Sequence, residues 1–247
     1  MMAFGLGLLS IGRKWGVQGS LPPKQEEALE LIAKAVEIGV HFFDTAPAYG
    51  NSEKILGTFL RGKSNCDQVT VATKMGEFWQ GSDLPTLVCH EENALKESID
   101  QSLEHLGSID ILQVHKSTRD VIESAAVHDA IAYAKQRGIS QFGASVSDVD
   151  SAKAAIASGA FQWLQFPFNA ENKVFGSLID EMNNAGMRAI INRPLAMGKL
   201  VNTIAQGFEQ VYKAGFPDGS VLLSGTGSSP HLEENFATFR ALSRLEI

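Results

Sequence analysis

The chain has 247 residues, of which 44% are hydrophobic and 20% are charged, close to the average of globular proteins. Its 21 lysines and arginines against 28 acidic residues give a formal net charge of −7, which argues against nucleic acid or an anionic membrane as a partner. The opening residues contain neither an apolar run of about 20 residues nor the charged start of an export signal. We therefore expect a cytoplasmic protein with one domain over residues 1–247.

The two cysteines, Cys66 and Cys89, lie outside any Cys/His spacing that is typical of a metal site. Two isolated cysteines also differ from the dense cysteine usage of small secreted domains. We expect both to be small packing residues, and we predict no metal centre.

Short β-rich runs recur along the chain, and most are continuous apolar stretches rather than alternating ones. Such runs are typical of strands that are covered on both faces, as in a parallel sheet beneath helices. There are eight: Phe4–Leu8, His41–Asp44, Val69–Lys74, Ile109–His115, Ser140–Ala144, Trp163–Pro167, Arg188–Arg193 and Val221–Gly225.

Amphipathic segments separate these strands, and the clearest is Glu92–Leu106, where Leu95, Ile99 and Leu103 lie on one helical stripe. The helix candidates are Pro22–Ile38, Ser52–Leu60, Glu92–Leu106, Val121–Arg137, Val149–Ser158, Val174–Ala185, Val201–Tyr212 and Pro230–Leu242. Eight strands alternating with eight helices predict an α/β fold, a closed parallel (β/α)8 TIM barrel without a linker.

An open doubly wound sheet would show the same alternation, usually with fewer strands and a glycine-rich turn after the first one. Gly5 and Gly7 hint at such a turn. No third glycine opens a helix after them, because the next helix follows only after a loop rich in Gly, Ser and Pro. The number of units favours closure.

Four ionisable residues, Asp44, Tyr49, Lys74 and His115, stand at or just beyond strand ends, which converge on one face of such a barrel. A tyrosine, with an ordinary pKa of about 10, is a poor acid at neutral pH unless a nearby cation stabilises its phenolate. Lys74 supplies that charge, Asp44 keeps the lysine protonated, and His115 binds the carbonyl oxygen or relays the proton. Taken singly, such residues are as often loop ion pairs or hydrogen-bonded core residues.

Four segments, in this order, resemble motifs of the aldo-keto reductase superfamily over nearly the whole chain: FFDTAPAYGNSEKILG, VATKMG, IDILQVH and GTGSSPHLEENF. The first motif is highly specific. The resemblance implies that Asp44, Tyr49, Lys74 and His115 are the catalytic tetrad, with Tyr49 as general acid. It also implies that a nicotinamide cofactor delivers hydride to a carbonyl carbon.

The same resemblance implies that Ser145 and Gln165, on strands five and six, bind the nicotinamide carboxamide. Two positions depart from the family pattern. Val146 stands where an asparagine often follows the serine, and Asn192 stands where the family has an aromatic residue that stacks on the nicotinamide. These departures remove one hydrogen bond and the expected stacking contact.

Two further segments resemble the family's nucleotide-binding loops. The loop after strand seven is similar to the one that folds over the pyrophosphate, and we expect Leu195 and Gly198 to contribute there. Helix eight follows strand eight, and a helix N-terminus favours phosphate. The residues expected around the adenosine phosphate are Gly225, Thr226, Gly227 and Ser228, with Glu234 and Asn235 at the adenine. An ordinary strand-to-helix turn and a solvated helix face are the structural alternatives.

The family's basic residues for a 2′-phosphate correspond here to Gly225 and His231. The resemblance favours NADP(H), and the absence of these basic residues leaves NAD(H) possible.

Three aromatic residues are candidates for the wall of a substrate pocket, Trp15 in the first loop and Phe78 and Trp79 after Lys74, although core or lid packing explains them equally well. The chain is shorter than typical family members after helix eight and between Leu200 and Val221. We therefore expect a minimal C-terminal loop, an open site and a partner subunit that completes it, while monomer and homo-oligomer stay undecided.

The interpretation that these residues favour is an NAD(P)H-dependent reductase of a small aldehyde or ketone. The same site run backward is an alcohol or aldose dehydrogenase. A nicotinamide-sensing barrel with little turnover is a third reading. A Schiff-base aldolase using Lys74 is a fourth, against which the neighbouring Asp44 argues.

Overall fold

The computed structural model describes residues 1–15, 19–62, 68–82, 84–196 and 204–244. The strands in these ranges are β1 (Ala3–Gly7), β2 (Phe42–Asp44), β3 (Thr70–Met75), β4 (Glu77–Phe78), β5 (Leu87–Val88), β6 (Ile111–Val114), β7 (Gln141–Ser145), β8 (Trp163–Pro167), β9 (Arg188–Asn192) and β10 (Val221–Gly225). The α-helices are α1 (Leu9–Gly12), α2 (Gln25–Ile38), α3 (Ser52–Arg61), α4 (Glu92–Leu106), α5 (Arg119–Ile122), α6 (Ala125–Gln136), α7 (Val149–Ser158), α8 (Ile179–Asn184), α9 (Ile204–Lys213) and α10 (Ser229–Ser243). Two 3-10 helices cover Pro47–Tyr49 and Val174–Leu178.

Eight of the strands form one closed parallel barrel in the order β1, β10, β9, β8, β7, β6, β3, β2. The ring closes where Gly7 of β1 pairs with Asp44 of β2 on one side and with Gly225 of β10 on the other. The predicted (β/α)8 barrel is therefore confirmed. The remaining strands, β4 and β5, form an antiparallel hairpin directly after β3.

The helices differ from the sequence prediction mainly in how they begin. The predicted helix over Val121–Arg137 is two helices, because the Ser124 hydroxyl accepts a hydrogen bond from the Val127 amide and starts a new helix there. The predicted helix over Val174–Ala185 begins as a 3-10 turn and becomes α-helical at Ile179. The short elements α1, β4 and β5 were not predicted, because two to four residues are too few to show a periodicity.

The interior of the barrel holds an apolar cluster separate from the larger core between strands and helices. Every strand alternates its side chains, so residues two positions apart point to the same side. The cluster inside the barrel consists of Phe42, Ala72, Ile111, Trp163, Ile190, Val221 and Leu223.

Two residues further along the strands, the same inward-facing rows become polar. Above the apolar cluster follow Asp44, Lys74, Gln113, Gln165 and Asn192. The alternation of side chains along the strands therefore places the apolar cluster, an apolar plug, deeper in the barrel. A ring of polar side chains lies at the carboxyl end, where barrel enzymes carry their active sites.

Helices α3 and α4 approach each other closely at Gly57, where a Cβ atom would lie 1.8 Å from the carbonyl oxygen of His105. We expect Gly57→Ala to lower the free energy of unfolding by about 2 kcal/mol or more, because the two helices must separate. Gly62→Ala is the control, since a Cβ there lies at least 3.5 Å from every other described residue, at an ordinary φ of −82°. Urea unfolding measures both variants, and equal stabilities would contradict the close approach.

Candidate active site

Tyr49 reaches the carboxyl end of the barrel through a tight turn after β2. The chain leaves the sheet at Asp44, and the 3-10 helix Pro47–Tyr49 turns it toward α3. This turn is held by a hydrogen bond of 2.7 Å between the hydroxyls of Thr45 and Ser52. Helix α1 supports it from outside, because a Cβ on Gly12 would lie 1.8 Å from the Tyr49 carbonyl oxygen. The position of the phenol is thus set by packing of its backbone.

Lys74 is a fully buried cation at the end of β3, with 1% of its surface exposed. Its Nζ donates to Asp44 Oδ2 at 2.7 Å and to the Thr45 carbonyl oxygen at 2.9 Å. Burial lowers the pKa of Lys74, but the charges and hydrogen bonds of Asp44 and Tyr49 outweigh burial and raise this pKa above 10.5. The amine is therefore an ammonium ion at neutral pH.

The second oxygen of Asp44 is bound by two glutamine amides. Gln113 Nε2 donates to Asp44 Oδ1 at 3.1 Å, and Gln165 Nε2 donates to the same atom at 3.2 Å. The carboxylate therefore accepts from three side chains, none of which exposes more than 1% of its surface. Among the residues that the structure describes, the buried Oε1 atoms of both glutamines have no hydrogen-bond partner. Each is an acceptor that is free to meet a donor from a bound molecule.

The Tyr49 ring lies against two of the other predicted catalytic residues. Lys74 Nζ is 4.8 Å from the ring centroid, and the His115 ring meets it edge-on at a centroid distance of 5.9 Å. Burial raises the pKa of Tyr49 more than the charge of Lys74 lowers it, so the net shift is upward. The sequence suggested that the lysine would make the phenol acidic, whereas in the structure the phenol keeps its proton at neutral pH.

His115 follows β6 and is paired with a carboxylate that sequence reasoning did not identify. Glu77 Oε2 lies 2.9 Å from His115 Nδ1, and Thr86 Oγ1 donates to Glu77 Oε1 at 2.6 Å. Burial opposes ionisation of Glu77, but the bonding to His115 and Thr86 outweighs it and lowers the pKa of Glu77 to about 2. Burial and, to a lesser extent, the nearby Lys74 lower the pKa of His115, which is therefore neutral at pH 7.

One signal for Gln113 was present in the sequence. It lies two residues before His115 in a buried strand, so both side chains point the same way. No comparable signal existed for Glu77, because its contact depends on the fold of the β4–β5 hairpin.

The structure thus brings Asp44, Tyr49, Lys74 and His115 together at one end of the barrel. The two residues predicted for the carboxamide lie beside each other there, since Ser145 pairs with Gln165 across β7 and β8.

The residues predicted around the nucleotide lie at the ends of β9 and β10. Leu195 is partly buried after β9, while Gly198 lies outside the described residues. Gly225 ends β10, and Thr226 Oγ1 accepts a hydrogen bond of 3.1 Å from the Ser228 amide as the chain passes through Gly227. Ser228 precedes α10 without capping it through its side chain. The first-turn amides of α10 therefore lack a side-chain cap from that position.

The two residues predicted at the adenine differ in exposure. Glu234 is exposed on α10, whereas Asn235 is buried and its Nδ2 donates to Ser224 Oγ on β10 at 2.9 Å. The Asn235 side chain thus ties α10 to the barrel.

The aromatic residues predicted for substrate binding are all partly exposed. Phe78 lies in β4 and Trp79 follows it. Trp15 pairs with Ser20 through a backbone hydrogen bond of 3.1 Å in the loop after α1.

Within the described ranges, none of the helices is long and apolar enough to cross a bilayer. In the same ranges, no group of three or more His, Cys, Asp and Glu residues is arranged to hold a metal ion. Cys89 is a free thiol, and Cys66 lies outside these ranges.

The buried pair of Asp44 and Lys74 predicts a non-additive stability effect. We expect Asp44→Asn to lower the free energy of unfolding by about 3 kcal/mol or more, because an ammonium ion is left without its partner. Combining Asp44→Asn with Lys74→Met should cost less than the sum of the two single variants, since no buried charge then remains. Additive effects in urea unfolding would contradict the pairing.

The pH dependence of that cost follows from the raised pKa of Lys74. The stability that the charged lysine contributes is complete below about pH 10.5 and is lost as the pH rises through the folded-state value. Without Asp44, burial lowers the pKa of Lys74 in the Asp44→Asn variant, so the deficit in its free energy of unfolding should begin to shrink below about pH 10.5, as its lysine loses the proton, and shrink further as the wild-type lysine does.

Comparison with known proteins gives a family match over residues 3–245, to the aldo/keto reductase family. The chain is 33% identical over 149 residues to the L-galactose dehydrogenase of Arabidopsis thaliana, covering 57% of this chain and 43% of that protein. It is 27% identical over 219 residues to the aldo-keto reductase YhdN of Bacillus subtilis, covering 83% of this chain and 61% of that protein. The chain thus matches only about half the length of these two relatives.

Among solved structures, a putative aldo-keto reductase from Pseudomonas aeruginosa superposes with a TM-score of 0.82 at 24% identity, covering 97% of this chain and 89% of that one. At this identity the likeness shows the fold. The family match extends over nearly the whole chain, and the protein therefore belongs to the aldo/keto reductase family, a family of oxidoreductases that generally use NAD(P)H.

Proposed function

We propose that this protein reduces a small aldehyde or ketone to the alcohol with NAD(P)H, and that Tyr49 is the general acid. One observation carries the proposal: the Lys74 ammonium ion lies 4.8 Å from the Tyr49 ring centroid and is held there by Asp44 at 2.7 Å. A buried cation beside a phenol stabilises the phenolate that forms when the phenol gives up its proton. That arrangement suits a proton donor.

The four residues have complementary tasks in this reaction. Hydride adds to the carbonyl carbon, and the proton of the Tyr49 hydroxyl passes to the carbonyl oxygen. Lys74 then offsets the negative charge on the phenolate, while Asp44 keeps Lys74 charged and in place. The ring of His115 meets Tyr49 edge-on, and we assign it the task of binding the carbonyl oxygen or relaying the proton.

The residues present fit a nicotinamide cofactor at the barrel mouth. Gln165 Oε1 is a buried acceptor that no described residue binds, and a carboxamide nitrogen is a donor that suits it. Ser145, beside it in the sheet, adds a hydroxyl. The first turn of α10, a helix of 15 residues, offers backbone amides to phosphate. When bound, the reduced nicotinamide supplies the hydride.

NADP(H) is the cofactor that the family resemblance favours, with NAD(H) as the alternative. The positions that correspond to the family's basic residues are Gly225 and His231, both exposed. A 2′-phosphate has no arginine or lysine at those two positions.

Three other functions are alternatives for the same site. The site run backward, as an alcohol or aldose dehydrogenase, uses the same residues, and a sensing barrel without turnover would retain cofactor binding alone. A Schiff-base aldolase needs a neutral amine, which the raised pKa of Lys74 disfavours. The oligomeric state, the direction of the reaction and a cytoplasmic location stay predictions.

Replacing Tyr49 by phenylalanine tests the proton donor. We expect Tyr49→Phe to lower kcat/KM for carbonyl reduction by about 100-fold to 10,000-fold, since it removes a general acid, with little change in the affinity for reduced cofactor. The control is Tyr133→Phe, which removes a hydroxyl that donates to Asp100 at 2.7 Å on the outer helices. Loss of nicotinamide absorbance measures turnover and fluorescence quenching measures binding. Near-normal turnover in Tyr49→Phe would eliminate Tyr49 as the acid.

A comparison of the two cofactors tests the nucleotide site. Because basic residues are absent at positions 225 and 231, we expect the dissociation constants of NADPH and NADH to differ by less than a thousandfold. Titration of the protein with each reduced cofactor gives both constants. A larger preference for NADPH would mean that other residues bind the 2′-phosphate.

A further inference from the structure

A cavity of about 340 Å³ lies at the amino end of the barrel, away from the candidate active site. Its walls include the first residues of three strands, Ala3 of β1, Phe42 of β2 and Thr70 of β3, together with part of α10. Lys74 lies four residues beyond Thr70 on β3. A strand rise of about 3.3 Å per residue therefore separates it from the cavity by roughly 13 Å. The reaction proposed above uses no residue of this cavity.

Two small residues leave the space that forms the cavity. Gly39 ends α2 with a φ of +99°, a conformation that glycine adopts at little cost. Among the described residues, only Phe236 Cζ would come within 4 Å of a Cβ at Gly39, at 3.9 Å. Ala3 contributes no more than a methyl group to the opening of β1. The cavity is thus a consequence of how α2 ends and β1 begins.

Phenylalanine rings form most of the apolar lining, and three of them contact one another. The ring centroid of Phe4 lies 5.4 Å from that of Phe236 and 5.2 Å from that of Phe239. The rings of Phe236 and Phe239 are nearly parallel, with an interplanar angle of 11°. Phe42 adds a fourth ring from the start of β2. Such a lining suits a flat apolar group, because ring contacts add to the burial of apolar surface.

Arg240 brings a positive charge to this aromatic lining. It is exposed on α10, and its guanidinium carbon lies 5.9 Å from the ring centroid of Phe236, one helical turn earlier. Within the described part of the chain, its side chain makes neither a hydrogen bond nor an ion pair. A guanidinium group is a planar fork of N–H donors that matches the two oxygens of a carboxylate. The donors of Arg240 therefore suit a ligand of that shape.

The charges around the cavity favour an anion. No aspartate or glutamate is among the described residues that line it, although the whole chain carries a formal net charge of −7. Thr70 and His41 are the other polar lining residues. The buried Nδ1 of His41 has no hydrogen-bond partner in the described ranges. The lining thus combines one cation with two neutral polar side chain types and no negative charge that would repel an anion.

We propose that this cavity is a second binding site, which takes a small aromatic carboxylate. The ligand's ring lies among the phenylalanines, and its carboxylate pairs with Arg240. A hydrocarbon would leave the guanidinium group unused, and an inorganic anion would leave the aromatic lining unused. The proposal does not depend on the proposed reaction, which takes place at the opposite end of the barrel.

A solvent-exposed recess without a ligand is the rival explanation, with Arg240 held only by the ring of Phe236. The chain contains a matched arginine whose charge is already satisfied. The guanidinium carbon of Arg137 also lies 5.9 Å from an aromatic ring centroid, that of Tyr133, four residues earlier. Its Nη2 is 3.0 Å from Asp100 Oδ1. Arg137 therefore has the ring contact of Arg240 together with a carboxylate partner.

Fluorine NMR titration of the whole protein with 4-fluorobenzoate tests the ligand class. We expect saturable binding with a dissociation constant of about 1 mM or lower, as suits a ligand of this size. The neutral 4-fluorobenzamide has nearly the same shape and should bind about tenfold more weakly or worse, because it lacks the charge. Absence of saturable 4-fluorobenzoate binding, or equal affinity for the two probes, would overturn the proposal.

Amide signals of the ¹⁵N-labelled protein locate the bound probe. We expect 4-fluorobenzoate to shift the signals of Gly39, His41 and Thr70 at the amino end of the barrel, with the dissociation constant that the fluorine titration gives. Shifts confined to residues such as Ser145 and Gly225 would place the probe at the carboxyl end. That result would assign the binding to the candidate active site and overturn the proposal.

Arg240→Gln tests the cation, and the exposure of this residue makes loss of folding a minor concern. We expect the variant to bind 4-fluorobenzoate about tenfold more weakly or worse and to bind 4-fluorobenzamide as wild type does, since only the ion pair is lost. Arg137→Gln removes the same charge from the same kind of ring contact and should bind both probes as wild type does. Unchanged 4-fluorobenzoate affinity in Arg240→Gln, or equal weakening in both variants, would show that Arg240 does not hold the carboxylate.

Discussion

The site depends on keeping the Lys74 ammonium ion in a place that water does not reach. Such a charge is tolerated only when its partners satisfy it, and here Asp44 Oδ2 and the Thr45 carbonyl oxygen do so at 2.7 and 2.9 Å. The carboxylate in turn needs donors for its other oxygen, which Gln113 and Gln165 provide. One buried cation thus fixes side chains on four strands, β2, β3, β6 and β8. In the described part of the chain, these contacts leave the two glutamine Oε1 atoms without a hydrogen-bond partner.

The alternation of side chains along each barrel strand makes that arrangement possible. Inward positions two residues apart change from apolar to polar along the same strand, as Phe42 precedes Asp44 and Trp163 precedes Gln165. The apolar plug excludes water from below, which strengthens each electrostatic contact above it. Closure of the sheet then brings residues more than a hundred positions apart, such as Asp44 and Gln165, within hydrogen-bonding distance. Stability and chemistry therefore share the same strands.

Much of this was predictable from the sequence, because strand ends in a barrel converge wherever they lie in the chain. The eight barrel strands were predicted close to their observed ends, and the four ionisable residues lie together as expected. What could not be predicted depends on tertiary contacts. Glu77 meets His115 only because a two-residue strand folds back in a hairpin, and Asn235 binds Ser224 only because α10 packs on β10. No periodicity or motif in the sequence predicts either contact.

The environment of Tyr49 changes the role that the sequence suggested for Lys74. Burial raises the pKa of the phenol more than the lysine lowers it, so the lysine does not make Tyr49 a strong acid at rest. A strong acid is not required for carbonyl reduction, because the alkoxide that develops on the substrate is far more basic than a phenolate. A phenol that is fully protonated at neutral pH is then the better starting state. Lys74 acts when the proton leaves, by stabilising a phenolate that burial alone would make costly. The same burial that holds the proton in place thus increases the effect of the ammonium ion at the moment of transfer.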